Sequence, residues 1–204
     1  MLKIHILPLG NYQTNCYIVH NETSKSCAIV DPGYQAEDLL QELQQLGLTV
    51  DAIFLTHGHF DHVGAVEALV RATNCQLWMH ERDYTQQKTP QNDYLYPLHD
   101  STFTNVQFFE EQQVIRAGGL DFTVMETPGH TYGSVCLICE NAIFSGDTLF
   151  AGSCGRTDLP GGDWATIRES LRRLAELEGN YGVYPGHGES TTLALEKQYN
   201  PYMR

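Results

Sequence analysis

Basic residues are scarce in this chain. Twelve Lys and Arg stand against 25 Asp and Glu, for a formal net charge of −13. A nucleic-acid-binding surface usually shows a basic stripe, so no nucleic-acid partner is expected. No apolar run is long enough to cross a bilayer, so no membrane partner is expected either. The start, Met1 to Leu7, lacks the apolar core of a secretory signal and leads straight into a strand pattern. Six cysteines in 204 residues do not make a disulfide scaffold. Without an export signal they are expected as reduced thiols in the cytoplasm. Cys136 and Cys139 have redox-motif spacing, but their run is apolar and strand-like, which would turn them to opposite faces of a sheet. No internal repeat is visible. What remains, at 42% hydrophobic and 18% charged, is an ordinary globular composition, with length for one domain and an ample core.

Taken in order, residues 2–7, 15–20 and 27–30 read as three strands, closed by the turn Asp31-Pro32-Gly33. A helix is predicted over Ala36–Leu46, with Leu39, Leu40, Leu43 and Leu46 on one face and Gly47 as its stop. Ala52–Leu55 reads as a buried strand, and Val63–Val70 has helical spacing. Gln76–His80 is another strand. Asp83–Asp100 is irregular and carries Tyr94, Tyr96 and His99, and it reads as a lid or a solvated connector. Strands and turns alternate from Val106 to Phe144. Asp163 should cap a helix with Trp164, Ile167, Leu171 and Leu174 as its apolar stripe. Thr191 or Thr192 should open a short terminal helix. The pattern predicts a two-layered or four-layered α/β protein.

Between the strand Ala52–Leu55 and the helix after it lies Thr56-His57-Gly58-His59-Phe60-Asp61-His62. Three imidazoles and a carboxylate in one tight turn are ligands that zinc, manganese and iron accept. Structural zinc sites usually use thiolates, whereas a nitrogen and oxygen set is more often catalytic and leaves a position for water. Three further candidates sit past the ends of short apolar runs, each in a turn with Gly or Pro. They are His130 after Thr127-Pro128-Gly129, Asp147 after Ser145-Gly146, and His187 after Pro185-Gly186. Functional groups on strand-end loops above a rigid sheet are a common arrangement.

THGHFDH, TPGHT, SGDT and YPGHG, in this order, resemble the metallo-β-lactamase superfamily. The run SGDTLFAGSCGRTDLPGGD and the ending Tyr199-Asn200-Pro201-Tyr202 resemble its short glyoxalase II-like (hydroxyacylglutathione hydrolase-like) branch. The resemblance implies one αββα four-layer sandwich domain over residues 1–204, without the C-terminal helical domain that helps larger glyoxalase II enzymes hold glutathione. It implies that His57, His59 and His130 bind one divalent metal ion and that Asp61, His62 and His187 bind a second. Asp147 would bridge the two. Zinc is the expected metal, with iron or manganese as alternatives. Two such ions can share a hydroxide that attacks an acyl carbonyl, with Asp61 aiming it. With that hydroxide as nucleophile, Cys154, Ser145 and Ser153 are not needed in that role, and the implied substrate is a small-molecule thioester such as S-lactoylglutathione.

Several residues keep two readings. Asp31 is either a carboxylate that orients a metal ligand or a simple turn former. His80 lies outside every matched motif and is expected to be an ordinary polar histidine. Arg156 either binds a substrate carboxylate or pairs with Asp158 or Asp163. Gly155-Arg156-Thr157-Asp158 also resembles persulfide dioxygenase, in which His57, His130 and Asp147 would hold a single iron. A metal-binding scaffold without turnover is a third reading. The oligomeric state is not legible.

Overall fold

The computed structural model describes residues 1–85, 95 and 105–204. The first sheet runs, in spatial order, β1 (Leu2–Leu9), β2 (Thr14–Asn21), β3 (Ser26–Val30), β4 (Thr49–Phe54), β5 (Gln76–Met79) and β6 (Val106–Phe108). Its first three strands are antiparallel, and β3 to β6 are parallel. The second sheet contains β7 (Val114–Ala117), β8 (Leu120–Glu126), β9 (Val135–Cys139), β10 (Ala142–Gly146), β13 (Gly182–Pro185) and β14 (Thr191–Thr192). A small ribbon, β11 (Leu149–Phe150) with β12 (Ser153–Cys154), lies beside it. The helices are α1 (Ala36–Leu46), α2 (Phe60–Val63), α3 (Val66–Thr73), α4 (Glu81–Thr85), α5 (Trp164–Ala175) and α6 (Leu193–Tyr199).

Alternation along the strands explains the layers. Ile18, Ile29 and Ile53 face outward and meet Leu39 and Leu43 of α1 and Leu69 of α3. Their neighbours Tyr17, Val30 and Phe54 face inward and meet Phe122, Val124 and Phe144 of the second sheet. Met125, Cys136 and Ile143 face away from that middle layer, toward Ile167, Leu171 and Leu174 of α5. Strands buried on both faces read as continuous apolar runs, as these do. The result is an αββα sandwich. Cys136 and Cys139 fall in different core layers, as the strand reading required.

Two expectations need correction. Val63–Val70 is not one helix, because Ala65 N–H donates to the Pro32 carbonyl (2.9 Å) and the chain breaks between α2 and α3. Trp164 does not join the buried stripe of α5; it is 46% exposed and sits edge-on to Tyr202. The caps stand as expected. The Asp163 side chain accepts from Thr166 N–H, and the Thr192 hydroxyl accepts from Leu195 N–H. In Asp83–Asp100, the first residues complete α4, while the lid or connector over 86–94 and 96–100, with His99, lies outside the described residues.

The core thiols have a chemical consequence. All six cysteines are free, and five are buried. Burial pushes the Cys27 and Cys139 thiols up to about 12 and that of Cys136 up to about 11. Only the thiolate alkylates, so these groups should be inert near neutral pH. Iodoacetamide is expected to label Cys154 first in the native protein and all six cysteines in guanidinium. Fast native labelling of Cys136 or Cys139, followed by mass spectrometry, would contradict this core.

Candidate metal centre

Strand direction gathers the site. β3, β4 and β5 are adjacent and parallel, so their C-terminal ends share one edge of the first sheet. Asp31, the Thr56–His62 turn and His80 leave from those ends. In the second sheet β8 and β10 both run antiparallel to β9, and β13 runs parallel to β10. The three therefore end at one edge and deliver His130, Asp147 and His187. Val135 N–H donates to the Thr56 carbonyl (2.8 Å), which stitches the two sheets together there.

The hydrogen bonds behind the imidazoles set their tautomers. His130 Nδ1 faces the Arg156 carbonyl (2.8 Å), and His187 Nδ1 faces the Tyr12 carbonyl (3.2 Å). His62 Nδ1 faces Asp31 Oδ2 (3.0 Å). Carbonyls and carboxylates only accept, so each Nδ1 carries the proton. Thr56 donates its hydroxyl to Asp31 Oδ2 (2.6 Å), which leaves the Thr56 oxygen to accept from His57 Nδ1 (3.1 Å). In the neutral rings the lone pairs of His57, His62, His130 and His187 are therefore on Nε2.

Those atoms converge. Candidate donor atoms form three overlapping clusters, each within 4.8 Å: His57, His59 and His130; His57, His62 and Asp147; and Asp61, His62 and His187. His130 Nε2 lies 3.0 Å from His59 Nδ1, and His187 Nε2 lies 3.2 Å from Asp61 Oδ2. His62 Nε2 is 3.4 Å from Asp147 Oδ1, and His130 Nε2 is 3.5 Å from Asp147 Oδ2. Ligands about 2.1 Å from a tetrahedral ion stand about 3.4 Å apart, so this spacing suits shared metal ions. His57 Nε2, His62 Nε2 and Asp147 Oδ1 are buried without a hydrogen-bond partner. Leaving such groups unsatisfied is costly, and bound cations would satisfy all three. The structure thus brings all seven expected ligands together, and the donor set fits divalent metal.

The field inside the cluster points the same way. Burial, then the neighbouring imidazoles, pushes His57 far below its ordinary value, and burial with His130 takes His59 down to about 2. Burial also favours neutral His62, but Asp147 and Asp31 outweigh it and hold the ring up at about 9. Burial raises Asp61, yet the His187 hydrogen bond and the His62 charge outweigh it, leaving Asp61 below the usual carboxylate range. Carboxylates that draw a proton onto His62 favour a metal cation at the same place.

Asp31 is more than a turn former. It is 1% exposed and accepts from Thr56 N–H (2.8 Å), the Thr56 hydroxyl and His62. His80 is no part of the cluster. Its Nδ1 accepts from Arg82 N–H (3.0 Å), and its Nε2 is 3.4 Å from Glu126. Several supports were not anticipated. The Tyr12 carbonyl orients His187, and the Thr14 hydroxyl donates to Asp61 Oδ2 (3.1 Å). Asp83 accepts from Gly58 N–H (2.9 Å) inside the histidine turn. From β2, Asn15 and Tyr17 donate to the Pro185 carbonyl and fix the His187 loop. Next in that loop, Gly186 is required by close approach. A Cβ there would lie 2.3 Å from Asp147 Oδ1 and 2.6 Å from His62 Cε1.

A cavity of about 410 Å³ opens over His59, Asp61, His130, Asp147 and His187. Tyr12, Phe60, Leu95, Phe150 and Leu159 give it an apolar wall, and Arg156 and Cys154 also line it. The Arg156 guanidinium makes a two-pronged pair with Asp158, both bonds at 2.7 Å, while Asp163 is spent as a helix cap. Both partners are well exposed, at 61% and 66%. Such exposed, solvent-screened pairs contribute little, so another carboxylate entering the cavity can compete for the guanidinium.

A family model described as the metallo-beta-lactamase superfamily matches residues 9–187. Hydroxyacylglutathione hydrolase GloC of Haemophilus influenzae is 34% identical over 209 residues, covering 99% of this chain and 98% of its own. Among solved structures, TTHA1623 in a di-iron-bound form is 38% identical, with TM-score 0.83, over 97% of this chain and 99% of its own. ETHE1 from Myxococcus xanthus is 30% identical, with TM-score 0.81, over 98% of this chain and 83% of its own. With this match added to the sandwich and the clustered ligand loops, the chain belongs to the metallo-β-lactamase superfamily.

Proposed function

We propose that this chain is a metal-dependent thioester hydrolase of glyoxalase II type, acting on small molecules resembling S-lactoylglutathione. The observation that carries this reading is the convergence of imidazole and carboxylate donors, several of them buried without other partners, at the mouth of one cavity. His57, His59 and His130 would hold one ion, Asp61, His62 and His187 a second, and Asp147 both. The likeness to a relative solved with two irons supports a pair of ions. Zinc suits the donor set, with iron or manganese as alternatives. When bound, two such ions supply an activated water and polarise an acyl carbonyl.

The chain's own groups do the rest. Asp61 takes a hydrogen bond from the attacking water and aims it, while Thr14 holds that carboxylate in place. The aromatic wall of Tyr12, Phe60 and Phe150 excludes water from the acyl group. No serine or cysteine nucleophile is required. The Ser145 hydroxyl is engaged with the Leu149 carbonyl (2.7 Å), and burial keeps Cys154 in its thiol form. A thiolate is a good leaving group because thiols are much stronger acids than alcohols. Arg156 would hold a carboxylate of the glutathione part by displacing Asp158.

Metal analysis alongside thioester kinetics tests this. Apoprotein loaded with zinc, iron or manganese is expected to hold about two equivalents and to hydrolyse S-lactoylglutathione. Arg156→Ala should raise KM for that substrate more than for a small neutral thioester. Equal losses on both would make Arg156 only a partner of Asp158. The second reading, a persulfide dioxygenase, is favoured by the run Gly155-Arg156-Thr157-Asp158. A single iron, no thioester turnover with any metal, and oxygen uptake on glutathione persulfide would establish it instead.

A further inference from the structure

Asp83 is wholly buried, at 0% exposure, and no reading of the motifs assigns it a role. It leaves from α4, just past the end of β5. One oxygen accepts from Gly58 N–H (2.9 Å) and the Thr131 hydroxyl (2.8 Å). The other accepts from Gly133 N–H (2.7 Å). Gly58 lies between His57 and His59, and Thr131 follows His130. One carboxylate therefore ties the histidine turn of the first sheet to the His130 turn of the second.

The fit is close. A Cβ on Gly133 would lie 2.7 Å from Asp83 Cγ and 2.9 Å from Asp83 N, so the His130 turn passes directly against this carboxylate. Thr131 is held in turn by Ser134, whose hydroxyl lies 2.7 Å from its own. Each partner bonded to Asp83 donates, and only a carboxylate offers acceptors on both arms. An amide would set its NH₂ against either the Gly58 or the Gly133 N–H. Burial pushes the Asp83 carboxyl up, against the pull of these hydrogen bonds. Charge so placed gains from a cation bound at the neighbouring imidazoles, and by linkage it raises the affinity for that cation equally.

We propose that Asp83 is a positioning residue for the metal ion held by His57, His59 and His130, fixing the distance between the two loops that supply them. This rests on the two-metal reading of the centre. It differs from a general packing role, because Asp83 would then govern one metal equivalent and not the other.

The test is cobalt(II) titration of apoprotein, reading stoichiometry, affinity and the visible spectrum, together with thermal melts. Wild type should take about two equivalents. Asp83→Asn should weaken one of them about 10- to 100-fold, as loss of such supporting groups does, and should shift its bands. Glu196→Gln is the control. Glu196 is also buried and accepts from Gly152 N–H, Thr191 and Asn200, away from the imidazoles. It should lower the melting temperature while leaving both equivalents intact. Wild-type affinity and spectrum in a folded Asp83→Asn protein would overturn the proposal. If that variant does not fold, Thr131→Val removes one donor to Asp83, and wild-type cobalt binding there would overturn it instead. A wild type that binds no cobalt would defeat the reading of the centre itself.

Discussion

Asp147→Asn is expected to fold, to lose most of its bound metal and to fall about 10³-fold in turnover. The magnitude follows from the several kcal/mol of charge stabilisation that such ions supply, at 1.4 kcal/mol per tenfold. Asp147 stands between the two halves of the cluster. One oxygen is 3.4 Å from His62 Nε2, and the other is 3.5 Å from His130 Nε2 and 3.6 Å from His187 Nε2. An amide keeps the shape but removes the charge and replaces one acceptor with a donor. That donor would point at imidazole lone pairs meant for a cation. Folding should survive, because Asp147 Oδ1 has no hydrogen-bond partner to lose. Metal analysis, a thermal melt and thioester kinetics on one preparation check all three claims. Full metal occupancy with near-wild-type turnover would remove Asp147 from the centre.

The parts of this centre that sequence reveals are side chains with strong chemical identity beside turn-forming residues. His57, His130, Asp147 and His187 each follow an apolar run that did become a strand, and Gly or Pro marks each turn. The apolar runs pointed to a layered α/β protein, and the family resemblance, not the runs, made it four layers. The supports were harder to see. The oxygen that orients His187 is a backbone carbonyl of Tyr12, an atom every residue has. Asp83 reads as the start of an irregular stretch, and its place beside Gly58 depends on β5 pairing with β4, a contact between distant residues. Asp31 could be read either way until the fold placed Thr56 and His62 against it. The break between α2 and α3 has the same origin. Local periodicity continues through it, and the Pro32 carbonyl that ends it comes from an earlier turn.

Asp61→Ala separates the two enzymatic readings. In the hydrolase, Asp61 helps His62 and His187 hold one ion and also aims the nucleophile. Its Oδ2 lies 3.2 Å from His187 Nε2 and 3.6 Å from His62 Nε2, and Thr14 holds it from behind. Alanine removes a ligand, a negative charge and an acceptor together. One metal equivalent should be lost and the other kept, because His57, His59, His130 and Asp147 are untouched. Thioester turnover should fall on the order of 10³-fold, again several kcal/mol of lost stabilisation. In the dioxygenase, His57, His130 and Asp147 suffice for a single iron, and Asp61 lies outside that set. The same variant should then keep its iron and its oxygen uptake on glutathione persulfide. Asp61→Asn refines the result by restoring one oxygen without the charge. Partial return of the second metal with little return of turnover would show that the charge matters as well as the ligand atom. A variant that keeps both equivalents and full thioester turnover would mean that the three-residue cluster around His187 is not a metal site, whatever its geometry.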